Sequence, residues 1–156
     1  MELGDIMNLK NLVNYRIEKG ISQKEMIEVL NISKGTYSAW ESGKDNIPLY
    51  RLNEICNYLG ISIDYALGIS SKENYAIISK DLDLKLIGKR IKDIRKGKKY
   101  TLEKLATALN TSISVISRYE NGHTLILTSF IYEYSKLFNV SVDYLLGRTN
   151  DYNIYN

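Results

Sequence analysis

Leu84, Ile87, Ile91 and Ile94 recur at intervals of three and four residues, the spacing that lines apolar side chains along one face of an α-helix. Asp81 or Asp83 is placed to cap its start. The helix is expected to end near Gly97, where Lys96, Lys98 and Lys99 suit the negative pole of its dipole. Thr101 then caps LEKLATAL, as Ser22 caps QKEMIEVL. After the turns NTS and NIS, another serine opens ISVISRYE or KGTYSAWE, and Gly122 and Gly43 stand just past these helices, where left-handed backbone is wanted. Further helices are predicted around 48–59 and 63–67, and around 127–138 and 142–146. No alternating run is long enough to make a strand, so the chain reads as all-α.

The pattern occurs twice. A shift of 79 residues aligns 8–68 with 87–147 without a gap, and sixteen of the 61 pairs are identical. They include Arg16 with Arg95, Asn31 with Asn110, Ser33 with Ser112, Glu41 with Glu120 and Gly43 with Gly122. ISIDYALG and VSVDYLLG close the two copies. A unit of about 60 residues can fold alone. The expected organisation is one domain over 1–68, a linker over 69–82, a second domain over 83–147 and a tail over 148–156. Within the linker, SSKEN is polar, whereas YAII is apolar and is expected to pack against a domain or another subunit.

Composition narrows the class. Hydrophobic residues make up 44% and charged residues 25%, which is globular rather than disordered, and a single proline suits a helical chain. Cys56 is the only cysteine, which rules out an internal disulfide and suggests a reducing, cytoplasmic compartment. The start MELGDIMNLKNL lacks the features of a signal peptide, and no stretch approaches the roughly 18 apolar residues of a membrane span. A soluble protein is expected. The net charge of +3 is uneven: residues 1–78 hold eight Lys or Arg against ten Asp or Glu, and residues 79–156 hold thirteen against eight. Much of the excess lies in GKRIKDIRKGKK, which suggests an anionic partner.

Little in the chain suggests catalysis. His123 is the only histidine, and a lone histidine gives no support to a metal site. Cys56 aligns with Ser135 inside a predicted core helix, as a buried small residue would. No nucleophile elbow, phosphate loop or metal-ligand pair is recognisable, so neither an enzyme nor a cofactor is expected.

Two short helices joined by a tight turn, the second opening with Ser and closing in aromatic-Glu-x-Gly, resemble a helix-turn-helix. ISQKEMIEVLNISKGTYSAWESGK and YTLEKLATALNTSISVISRYENGH, each followed by SIDYALG or SVDYLLG, resemble the phage Cro/repressor-like, or Xre, family. The likeness covers both repeats, about four fifths of the chain. It implies two tandem five-helix, lambda-repressor-like DNA-binding domains joined by a short linker. The implied function is a sequence-specific regulator of transcription, a repressor, acting on double-stranded DNA in the cytoplasm of a bacterium or for a phage. Residues 33–41 and 112–120 would be the helices read into the major groove, with the preceding helices across the phosphates.

The resemblance also sorts residues. Tyr37, Trp40, Ile116 and Tyr119 belong inside, and Arg16 with Glu41 and Arg95 with Glu120 form structural pairs. The implied DNA-facing residues are Lys34, Gly35, Ser38 and Ala39 in the first copy, and Ile113, Ser114, Ser117 and Arg118 in the second. Ser33, Thr36 and Lys44 flank the first face, and Ser112, Asn121 and His123 the second. Gln23 and Thr101 stand at the starts of the preceding helices. Arg118 is suited to O6 and N7 of guanine, with a phosphate contact or a solvated arginine as the alternatives. Gln23 fits the family, but its counterpart is Leu102; Ala106 fits, but its counterpart is the bulkier Ile27. With an acidic first copy, the second is expected to be the principal reader.

Two assemblies are compatible with this reading. One chain spans grooves about 34 Å apart, through a connection that reaches at most about 50 Å. Alternatively, two chains pair as a homodimer on a palindrome, the arrangement favoured by two-fold symmetry. The rival function is a protein-binding regulator, antitoxin- or anti-repressor-like, in which one copy has lost DNA; Ile113 and the acidic first copy motivate it.

Overall fold

The computed structural model describes residues 7–74 and 76–156. Residues 1–6, where the expected absence of a leader falls, and Tyr75 of the YAII stretch lie outside them. The described residues form ten helices and no strand, as the all-α reading expects. They belong to two compact units, Met1–Tyr75 with Tyr155–Asn156, and Ala76–Ile154. The first unit contains α1 (Lys10–Glu18), α2 (Gln23–Leu30), α3 (Lys34–Ser42), α4 (Leu49–Leu59) and α5 (Ile63–Ala66). The second contains α6 (Leu84–Gly97), α7 (Leu102–Ala108), α8 (Ile113–Glu120), α9 (Thr128–Phe138) and α10 (Val142–Leu145).

Local chemistry sets the helix starts. The hydroxyls of Ser22, Ser33 and Ser62 accept the backbone N–H three residues on, and Thr101, Ser112 and Ser141 do the same in the second unit. Each such cap stabilises a helix by about 1 kcal/mol. Of the two candidates ahead of α6, Asp83 is the cap, accepting from the N–H groups of Lys85 and Leu86. In the turns between the paired helices, Asn31 (φ 52°) and Asn110 (φ 51°) take the left-handed conformation, which accounts for the identical residue in both copies.

Each unit closes around one face of its helices. Leu12, Met26, Tyr37, Leu52, Ile55 and Ile63 are buried in the first, and Ile91, Leu105, Ile116, Ile131, Tyr134 and Val142 hold the matching places in the second. An aromatic ring has changed helix between copies: Tyr37 of α3 faces Ile116 in the alignment, and Ile55 of α4 faces Tyr134. The exchange gives each core a ring where the other has an isoleucine, the kind of swap that packing tolerates. In the second unit the Tyr134 hydroxyl donates to the Ile91 carbonyl, and its ring sits edge-on to Phe138 at 4.8 Å.

The repeat continues past its last identical residue. The Ser62 N–H donates to the Glu73 carbonyl at 2.7 Å, and the Ser141 N–H to the Tyr152 carbonyl at 2.9 Å, 79 residues on. Residues 69–74, read from the sequence as linker, are therefore bonded within the first unit, and residues 148–152 within the second. Arg148 is 1% exposed and pairs with the fully buried Asp143 at 2.8 Å.

Candidate nucleic-acid interface

In both units an arginine from the first helix holds the end of the third. Arg16 donates to Glu41 through Nε at 2.6 Å and Nη2 at 3.0 Å, and its Nη1 donates to the Ile21 carbonyl at 2.7 Å. Arg95 repeats the arrangement with Glu120 at 2.7 and 3.0 Å and the Tyr100 carbonyl at 2.8 Å. A two-point fork of this kind fixes orientation as well as distance. The arginine–carboxylate pair thus ties three elements together: the first helix, the turn after it and the end of the third helix. Burial would raise the pKa of Glu41, but hydrogen bonds from Arg16 and Gln23 and the arginine charge outweigh it and hold it below 4.5. Tyr37 lies close enough to this pair to feel its charge without a well-formed hydrogen bond, and burial pushes its hydroxyl pKa far up.

The first candidate face lies on α3. Lys34, Gly35 and Thr36 are exposed, and so is Lys44 beyond the helix. The Ser33 hydroxyl is engaged as cap and lies 2.8 Å from the Thr36 hydroxyl. Ser38 and Ala39 are half-buried; the Ser38 hydroxyl donates to Gln23 at 3.3 Å, and the Gln23 amide donates to Glu41 at 2.8 Å. Gln23 therefore sits at the junction of α2 and α3, with the rest of its amide directed by Glu41 and Ser38.

The second face is built differently. Ile113, Ser114 and Arg118 of α8 are exposed, Ile113 to 46%, and His123 is exposed in the loop that follows. Leu102 supplies no amide at the Gln23 position, and Ser117 instead accepts from the Asn121 side chain at 3.3 Å. Thr101 and Ser112 are capping residues. Arg118 donates through Nε to the Thr124 hydroxyl at 3.1 Å, a bond that uses one of the five guanidinium N–H donors. Thr124 did not stand out in the sequence reading. Its signal is the alignment itself, since Arg118 and Thr124 replace Ala39 and Asp45 together.

The ends of α3 and α8 are also enclosed differently. In the first unit a groove of about 410 Å³ lies beside the end of α3, lined by Leu9, Val13, Trp40, Gly43 and Ile47 among others. In the second, the longer α6 passes against the end of α8 at Gly88, and Lys85 donates to the Asn121 carbonyl at 2.7 Å. Gly88 is missed by motif reading because its counterpart in the first copy is Leu9, so the repeat does not mark the position, and the position matching Lys85 lies outside the described residues.

No helix among the described residues is long and apolar enough to cross a membrane, and those residues hold no group of three His, Cys, Asp or Glu placed to bind a metal. Comparison with known proteins agrees with the fold. The helix-turn-helix family model matches residues 12–65 and again 91–145. The HTH-type transcriptional regulator ImmR of Bacillus subtilis is 39% identical over 62 residues, covering 40% of this chain and 49% of ImmR. The uncharacterized HTH-type transcriptional regulator YazB of the same organism is 34% identical over 64 residues, covering 41% and 93%. The SPbeta prophage-derived regulator YonR, also of Bacillus subtilis, is 36% identical over 58 residues, covering 37% and 54%. The chain thus spans about half the length of ImmR and YonR and nearly all of YazB. No solved structure matches.

Proposed function

Since the chain belongs to the helix-turn-helix family, matched in both repeats, we propose that it is a transcriptional regulator, of the repressor kind, that reads double-stranded DNA. α3 and α8 enter the major groove, where the exposed residues of each helix meet base edges. Arg118 carries this reading. It is exposed on α8, and the bond to Thr124 uses only its Nε–H, so the Nη N–H groups supply the donors for an acceptor pair such as O6 and N7 of guanine. The Arg118→Glu variant tests it by titration against a duplex enriched from a random pool. The variant is expected to keep its thermal melting profile and lose preference for the enriched sequence. Unchanged preference contradicts the assignment.

One observation favours a second reading. Ile113, 46% exposed on the same face, is apolar surface that a protein partner would cover. A regulator that grips a partner through this face keeps its partner when Arg118 is reversed. As assembly we propose a homodimer, supported by Ile78, which exposes 61% of its surface in the segment between the repeats. Sedimentation equilibrium of the whole chain is expected to give the mass of two chains, and a single-chain mass counts against pairing.

A further inference from the structure

Charge differs between the two copies in a consistent direction around the candidate DNA faces. Over residues 96–104 and 113–124, apart from Glu120 in its pair with Arg95, the second unit carries Lys96, Lys98, Lys99, Lys104 and Arg118 against Glu103 alone. The matching 17–25 and 34–45, apart from Glu41 in its pair with Arg16, carry Lys19, Lys24, Lys34 and Lys44 against Glu18, Glu25 and Asp45. Lys96 replaces Ile17, Gly97 replaces Glu18, Lys99 replaces Gly20, and Lys104 replaces Glu25.

Backbone geometry adds an independent observation. Gly20 holds φ +72°, a conformation glycine adopts without strain, and Lys99 holds φ +59° at the same place. The second unit therefore puts a long cation where the first has the residue the backbone favours. Lys96, Lys98 and Lys99 are all exposed. Lys96 lies in the last turn of α6, and Lys98 and Lys99 follow it into the turn whose Tyr100 carbonyl is bonded to Arg95, the arginine that holds the end of α8. The lysines and the reading helix are thereby held on one framework.

Resting on the DNA reading above, we infer that the two units divide the work. The end of α6 and the turn to α7, with Lys96, Lys98 and Lys99, form the phosphate-binding element that supplies most of the chain's sequence-independent affinity, and the first unit adds little to it. Released counterions make such contacts visible as salt dependence.

The test uses the whole chain and a labelled random-sequence B-form duplex, with binding followed across a salt series. Two variants are compared, one with Lys96, Lys98 and Lys99 changed to Gln, and one with Lys19, Lys24 and Lys44 changed to Gln. Each lost phosphate contact lowers the slope of log affinity against log salt by about 0.9. The second-unit variant is expected to lose roughly two to three in slope and the first-unit variant less than about one. Equal or larger loss in the first-unit variant overturns the division while leaving DNA binding intact. No salt-dependent binding by the native chain, even at low salt, removes the DNA reading itself.

Discussion

Gly88 of α6 lies against Glu120 at the end of α8 with no room for a side chain. A β-carbon on Gly88 would stand 2.5 Å from the Glu120 carbonyl oxygen and 2.6 Å from that of Tyr119. Both obstacles are backbone and cannot rotate aside. Leu9 holds this place in the first unit, as the residue before a shorter α1, so the contact belongs to the second unit. Gly88→Ala is expected to push α6 off α8 and destabilise that unit by roughly 1–3 kcal/mol, as overpacking does. A thermal melt of the whole chain checks it, and an unchanged melting profile contradicts the close approach.

Arg95→Ala leaves Glu120 with its charge in a nearly closed site. The expected loss is about 3–5 kcal/mol, the range for breaking one side of a buried pair. Arg95→Lys recovers part of it, since an ammonium cannot reproduce the two-point contact. Urea unfolding of the three proteins distinguishes these ranks, and equal stability for Ala and Lys contradicts the role given to the fork.

Glu41 makes the first unit sensitive to acid. Its folded pKa lies below its ordinary value of 4.5, so its contribution is full above that value and disappears as pH falls through the folded pKa. Glu41→Gln is expected to cost stability near neutral pH and to flatten the loss below about pH 4.5. Unfolding free energies at a series of pH values test the sign; a steeper acid loss in the variant contradicts it.

The repeated frame was legible in the sequence because its causes are local. Capping hydroxyls, turn asparagines and apolar spacing act within a few residues and recur at a 79-residue shift. The Arg16–Glu41 and Arg95–Glu120 pairs followed from the family resemblance. Other features depend on partners far along the chain. Nothing near Gly88 in the sequence announces the backbone of Glu120, and nothing in GRTN announces that Arg148 turns inward onto Asp143. The return of residues 69–74 onto the first unit was hidden for a related reason: its bond to Ser62 uses backbone groups, which any residue supplies.

Arg118 and Lys98 are expected to differ in kind as DNA ligands. Arg118→Ala is expected to cost about 1–3 kcal/mol on the preferred sequence and to relax choice at one base pair. Lys98→Gln is expected to weaken all sequences alike. Affinities for the enriched duplex and its single-base variants separate the two, and a uniform loss for Arg118→Ala contradicts base reading.

The central claim is that the chain reads DNA sequence. Selection by the whole chain from a random duplex pool at about 150 mM salt tests it most directly. The account predicts an enriched motif, altered in the Arg118→Ala protein at the position that arginine reads. A folded chain that enriches no sequence, at this salt or lower, contradicts it.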